Sequence, residues 1–253
     1  MSMSAFSSPL FAPAVAAYWQ TCFAGDVLYR DTDFTVVTRP DLDVDSPVMV
    51  LKTADGRVSA ALTPDLADRA RLGGRANLSE AEFRRALTAA GITLNGADYV
   101  FYFGSGTRES LTDDCPDVRR LTDLDSAIFA EFESGASAAD LDGAYVELDH
   151  WAVFGAFEQP RLVCAASAYP WDDAPLADLG VLTLSPFRGN GHARTVVRAL
   201  SRYVYEQGYE PQYRCQLDSY PSVALAKSLG LQPFGEWEVI AEDGPVGIEP
   251  TQG

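Results

Sequence analysis

The stretch whose reading decides the fold is SPFRGNGHARTVV, Ser185–Val197. An apolar run, Leu179 to Leu184, leads into it, and a helical periodicity from about His192 to Gln207 leads out of it. Gly189 and Gly191 therefore stand between a strand and a helix. Glycine lets main-chain N–H groups come close to a ligand. A helix start adds unpaired N–H groups and a partial positive charge. Together they form an anion site, and a phosphate is the anion that suits it. Downstream, Ala193, Val196, Val197, Leu200 and Val204 recur at helical spacing as a buried face, while Arg194, Arg198 and Arg202 form a basic stripe on another. Arg188 stands at the loop entrance. Two nucleotide signatures are excluded. The third glycine of G-x-G-x-x-G is replaced by Arg194, and the lysine of a P-loop is missing.

The composition sets the limits of the reading. The chain has 253 residues, of which 47% are hydrophobic, and a formal net charge of -17. Such acidity argues against a nucleic-acid-binding surface, which needs clustered Lys and Arg. Its own meaning is ambiguous, because salt adaptation and a cationic substrate would both produce it. No apolar run approaches the roughly 20 residues of a membrane span. No Lys or Arg precedes Arg30, so the charged start of a signal peptide is missing, and the chain reads as cytoplasmic. Cys22, Cys115, Cys164 and Cys215 are scattered, contain no CxxC pair and have too few histidines for a zinc site, so no metal is expected.

Outward from the glycine stretch, the chain reads as mixed α/β in two parts. Residues 116–241 give the order β-α-α-β-β-β-α-β-α-β, with strands at 118–121, 151–157, 162–169, 179–184, 213–217 and 234–240. Helices are expected at 123–133, 138–148, 192–207 and 221–229, the last stopped by Gly230. Residues 1–115 form a smaller α/β domain that reads as a packing or dimerisation module. Its helix from Ser79 to Ala90 opens with a capping box, Ser79 with Glu82. GSGTRESLTDDCP, Gly104–Pro116, is the expected linker, and 242–253 a flexible tail.

Arg188, Gly191 and Ala193 fit the pattern (Gln/Arg)-x-x-Gly-x-(Gly/Ala), and SVALAKSLGL, Ser222–Leu231, looks like a later helix closed by a leucine-glycine-hydrophobic turn. On these residues, Val118 to Ile240 resembles the GNAT superfamily of N-acetyltransferases. The resemblance implies acetyl-CoA, or another acyl-CoA, as co-substrate and a small-molecule or protein amine as acceptor. It places the pantetheine arm on Leu182, Thr183 and Leu184, and the pyrophosphate on the amides of Arg188, Gly189, Asn190, Gly191, His192 and Ala193. Ser219 and Ser222 complete the cofactor side. Asp178 takes the position of the family's base, with Glu147 and Asp149 as rivals and His150 as a structural residue. The family's thiolate acid is a tyrosine where this chain has Ala226, and the family's asparagine is here Ser219; nearby Tyr220 is the substitute acid. Two alternatives remain open: a catalytically silent acyl-CoA sensor, and a tandem arrangement in which the first part is a degenerate copy of the same fold.

Overall fold

The computed structural model describes residue 6, residues 8–108, residue 111 and residues 115–240. The expected tail, 242–253, and residues 109, 110 and 112–114 of the expected linker lie outside the described residues. Helix α1 (Pro13–Cys22) is followed by strands β1 (Asp26–Arg30), β2 (Phe34–Thr38), β3 (Val48–Thr53) and β4 (Val58–Leu62). Helices α2 (Pro64–Arg69) and α3 (Glu80–Ala89) lead to β5 (Asp98–Phe103). Then come β6 (Val118–Leu121), α4 (Ser126–Ser134), α5 (Ala138–Ala144), β7 (Ala152–Glu158) and β8 (Arg161–Pro170). The chain continues through β9 (Leu176–Thr183), α6 (His192–Glu206), β10 (Glu210–Gln216), α7 (Tyr220–Leu229) and β11 (Leu231–Val239). The class is mixed α/β, and from Val118 onward the order of elements is the expected one.

Two compact units result: Met1–Tyr18 with Val100–Pro233, and Trp19–Tyr99 with Phe234–Gly253. The sequence placed a single boundary at 115/116. The units divide elsewhere because strands pair across long sequence gaps. Gly235–Val239 of β11 lies antiparallel to β3, from Thr53 to Met49. Residues of β5 join the other unit, where the Tyr102 hydroxyl donates to Gln212 of β10 and the Phe101 ring meets Tyr213.

In the unit built on residues 19–99, β2 and β4 run parallel while β3 and β4 run antiparallel. Every residue of β4 is buried, so its side chains are apolar or small throughout instead of alternating with polar ones. Its core gathers Val36, Val50, Ala60 and Leu62 under Phe83 and Leu87 of α3. The predicted capping box at Ser79 and Glu82 is present. Strand β1 and helix α2 were not anticipated: the first is largely exposed and the second is only six residues long.

The unit that carries the glycine stretch has the strand order β5-β10-β9-β8-β7-β6. The pairs β6–β7, β7–β8 and β8–β9 are antiparallel, and β9 and β10 are parallel. Phe129 and Phe132 of α4 are buried against Leu121, Leu162, Ala165, Leu182 and Leu184, each ring contributing about 1.5–3 kcal/mol. Helix α6 packs along β7, β8 and β9 through Val196, Val197, Leu200 and Val204. Helix α5 stops at Ala144, four residues short of the expected Leu148, because Tyr145 turns left-handed at φ 46°.

Candidate functional site

The site begins where two strands part. β10 pairs with β9 from Glu210↔Leu176 to Tyr213↔Leu179 and no further, whereas β9 stays paired with β8 as far as Thr183. Past Leu179, the edge of β9 that faced β10 is therefore open. Main-chain groups alternate sides along a strand. The Leu184 N–H donates to Val163 of β8, which turns Leu182 toward β8 and Val181 and Thr183 toward the opening. Of the expected Leu182, Thr183 and Leu184, only Thr183 presents its main chain to the open edge; the Leu182 and Leu184 side chains are buried. Val181 was missed. A period of two along the strand could have found it.

After β9 the chain turns through Gly189 (φ 84°) and Gly191 (φ 87°), left-handed positions that only glycine takes without strain. Gly191 is the N-cap of α6, which has no side-chain cap. Among the described residues, the main-chain N–H groups of His192, Ala193 and Arg194 find no acceptor, as a helix start requires unless something caps it. Arg188 does not reach outward: its guanidinium donates to Thr183 O at 3.0 Å and to Asp140 Oδ1 of α5 at 2.8 Å. The arginine and Ser137 together hold the Asp140 carboxyl below its usual range, with the Ser137 hydroxyl as the larger influence. His192 faces Glu158 at 2.8 Å. Of the expected arginine stripe, Arg194 lines the cavity that follows, while Arg198 and Arg202 do not.

Open strand edge and open helix start face one cavity of about 590 Å³. Val181, Leu182, Thr183, Arg188, Gly189, Gly191, His192 and Ala193 line it, as do Asp140 and Ala144 of α5 and Ser219 and Ser222 at the start of α7. Asn190 and Leu184 are not part of the lining. A cavity of this size suits a large cofactor arm. Tyr220, the expected acid, is 79% exposed and is not a lining residue. Instead its neighbours Pro221 and Ser222 turn inward. The lining tyrosine is Tyr213, the last residue of the β9–β10 ladder. Its hydroxyl bonds Ser222, which bonds Ser219 at 2.9 Å, and burial pushes its pKa up to about 12. No motif marks Tyr213 in the sequence; its importance comes from the register at which the ladder stops. Ala226 is fully buried.

Asp178 is buried in β9, and both of its oxygens are committed. Gln212 donates at 3.0 Å, Tyr169 at 3.1 Å, and Arg214 through two nitrogens, the shorter contact at 2.8 Å. Arg214 also stacks over Trp171, 4.3 Å from the ring centre. This is an anchored carboxylate, and the opening expected for a proton acceptor is taken up by its partners. Glu147 and Asp149 are exposed. His150 is inserted between them and β8, where its Nδ1 lies 2.8 Å from Ser167 Oγ.

A model of the acetyltransferase (GNAT) family matches residues 119–231. No curated protein matches the chain. Among solved structures, the chain is similar to a putative GNAT acetyltransferase from Novosphingobium aromaticivorans, with 17% identity over 59% of this chain and 65% of that one and a TM-score of 0.45. It is also similar to a GNAT acetyltransferase from Colwellia psychrerythraea, with 18% identity over 64% and 63% and a TM-score of 0.47. The chain thus spans slightly less than two thirds of the length of these two relatives. A conserved protein of unknown function from Staphylococcus epidermidis is similar over 87% of this chain and 95% of its own, with 12% identity and a TM-score of 0.46. Residues 119–231, which hold the glycine loop, the parted strands and the cavity between them, are the part of the chain that the GNAT acetyltransferase family model matches.

Proposed function

We propose that this domain binds acetyl-CoA in the 590 Å³ cavity and transfers the acetyl group to an amine. One observation carries the reading: an open strand edge and an uncapped helix start line the same cavity. The helix start suits a pyrophosphate, whose charge the amides of residues 189–194 would meet. The strand edge suits an arm with its own amides, which can bond Val181 and Thr183 as an added strand would. The co-substrate supplies an activated thioester.

The chain's own groups can then serve the chemistry. Attack by an amine puts negative charge on the carbonyl oxygen, and the Val181 N–H at the open edge is a fixed donor for it. The departing thiolate needs a proton. Tyr213 keeps its proton through neutral pH and, backed by Ser222 and Ser219, is the donor that faces the cavity. Asp178 and Tyr220 are not given these roles: the first is bound on both oxygens, and the second points away. Asp178 is read as the anchor that holds Arg214 and Tyr169 in place.

Ala226, where the resembling family has its acid, favours a second reading, a silent acyl-CoA sensor. Thiol release from acetyl-CoA, followed with Ellman's reagent, separates the two. The panel is spermidine, tryptamine, kanamycin and a peptide with a free amino terminus. Release above the enzyme-free rate with any of them supports transfer. Tight acetyl-CoA binding with no release from any amine supports the sensor.

A further inference from the structure

The point where β9 and β10 part has a second side. Gly180, the next residue along β9, is opposite Ser167 of β8. A Cβ at Gly180 would meet the main-chain oxygens of Ala144 and Tyr145, that of Tyr145 at 2.8 Å. So the end of α5 rests directly on the strand at this point. Tyr145, left-handed at φ 46°, ends α5 here and sets its ring beside the strand. Three rings converge here. Tyr145 and Tyr169 each lie 5.0 Å from His150, centre to centre, and 5.5 Å from each other.

Resting on the acetyl-CoA reading above, we propose that His150 accepts the proton of the incoming ammonium and that the acceptor is a primary amine arriving in its charged form over Glu147 and Asp149. The imidazole is 9% exposed, and its Nδ1 is fixed by Ser167, a fully buried residue. When Nδ1–H donates to Ser167 Oγ, Nε2 keeps its lone pair and points toward Glu147, whose carboxylate lies 3.8 Å away. That gap is too long for a hydrogen bond and short enough to favour an imidazolium. Burial holds the imidazole below the ordinary histidine value, against the opposing pull of Glu147 and Asp149, and so favours its neutral form. The other groups facing it are Tyr145 just past α5 and Tyr169 on β8, with Asp178 and Arg214 behind Tyr169.

The step balances as follows. The ammonium gives one proton to Nε2, and the amine nitrogen forms a bond to the thioester carbon. The carbon–sulfur bond breaks, and its electron pair leaves with sulfur. Tyr213 gives its hydroxyl proton to the thiolate and regains one from the second proton of the attacking nitrogen, yielding amide and thiol, and the imidazolium returns its proton to solvent beside Glu147.

The chain has two histidines, His150 and His192, so imidazole NMR of the whole protein resolves both, with His150→Gln giving the assignment. The expected result is a His150 signal unprotonated at Nε2 at pH 7 that moves on saturation with acetyl-CoA and moves less with coenzyme A. In the thiol-release panel, His150→Gln should lower turnover about 10²–10⁴-fold with acetyl-CoA affinity unchanged within about twofold. An Nε2 that carries the proton at pH 7, a signal indifferent to bound acetyl-CoA, or full turnover in the variant would overturn the proposal and leave the coenzyme site standing. Failure of the wild type to bind acetyl-CoA in calorimetry would instead remove the coenzyme site and this proposal with it.

Discussion

Two helices of this chain begin in opposite ways. At α3, Ser79 Oγ accepts from the Glu82 N–H at 3.3 Å, and Glu82 accepts in return from the Ser79 N–H at 2.9 Å. The helix closes its own amino terminus. At α6 the N-cap is a left-handed glycine without a side chain to offer, and the first amides are left open toward a cavity. A helix start satisfied from within is structural and needs nothing further. One that the chain leaves unsatisfied, on a long and well-buried helix, stands ready for a ligand to cap it.

If that contrast is right, a ligand should stabilise the protein through α6. Acetyl-CoA at about 100 times its Kd should add about 2.7 kcal/mol to the unfolding free energy, or about 5–10 °C in Tm for a chain of this size. Differential scanning fluorimetry over a ligand series checks it. A flat Tm would break the contrast at its strongest point.

Ser79→Ala tests the other helix. Loss of that cap should cost about 1 kcal/mol in urea unfolding, with the acetyl-CoA increment untouched. The same box has a pH signature. The Ser79 N–H, then its hydroxyl, hold the Glu82 carboxyl below its usual range. A carboxylate depressed in the folded state contributes stability that is complete above its unfolded pKa and is lost as pH falls through the folded value. Ser79→Ala should therefore flatten the acid limb of the Tm profile below about pH 4.5; an unchanged limb would say that the box does not act as a unit.

The smallest expected effect sharpens the comparison at the mouth of the cavity. Asp140 is a negative charge in the lining of an anion site and holds Arg188 at 2.8 Å. Asp140→Asn removes the charge and loosens one of the two holds on the guanidinium, so acetyl-CoA should bind about two- to fivefold more tightly, in line with an exposed charge interaction of up to about 1 kcal/mol. Calorimetry at low and moderate salt checks it, and weaker binding would show that the Arg188–Asp140 bridge shapes the loop itself.

The capping box at Ser79 was legible because all of its parts lie within four residues. So was the rhythm from Val118 onward, since each strand and helix there carries its own apolar period. What stayed hidden depends on register or on distant partners. Val181 faces the cavity because of which main-chain groups β8 takes. Tyr213 matters because the β9–β10 ladder ends at it. The Arg188 amide was expected on a phosphate, but that its guanidinium is held by Asp140, 48 positions away, could not be read. Asp178 was expected as a base because the family resemblance puts one at its position, but its partners come from β8 and β10 and fill its oxygens. Tyr220 and Ser222 are two residues apart at one helix start, and only the way the helix packs decides which of them turns inward.

The central claim is that the open start of α6 holds the pyrophosphate of a coenzyme. Calorimetric titration of acetyl-CoA into the wild type, Gly191→Ala and Gly191→Glu tests it most directly. Both variants carry the same left-handed strain, about 1–2 kcal/mol, but only the glutamate sets a negative charge against the phosphate. The account predicts micromolar binding by the wild type, modest weakening in Gly191→Ala and a loss of at least about 100-fold in Gly191→Glu, equivalent to about 2.7 kcal/mol. Absence of binding by the wild type to acetyl-CoA and coenzyme A alike, or equal weakening in both variants, would contradict it.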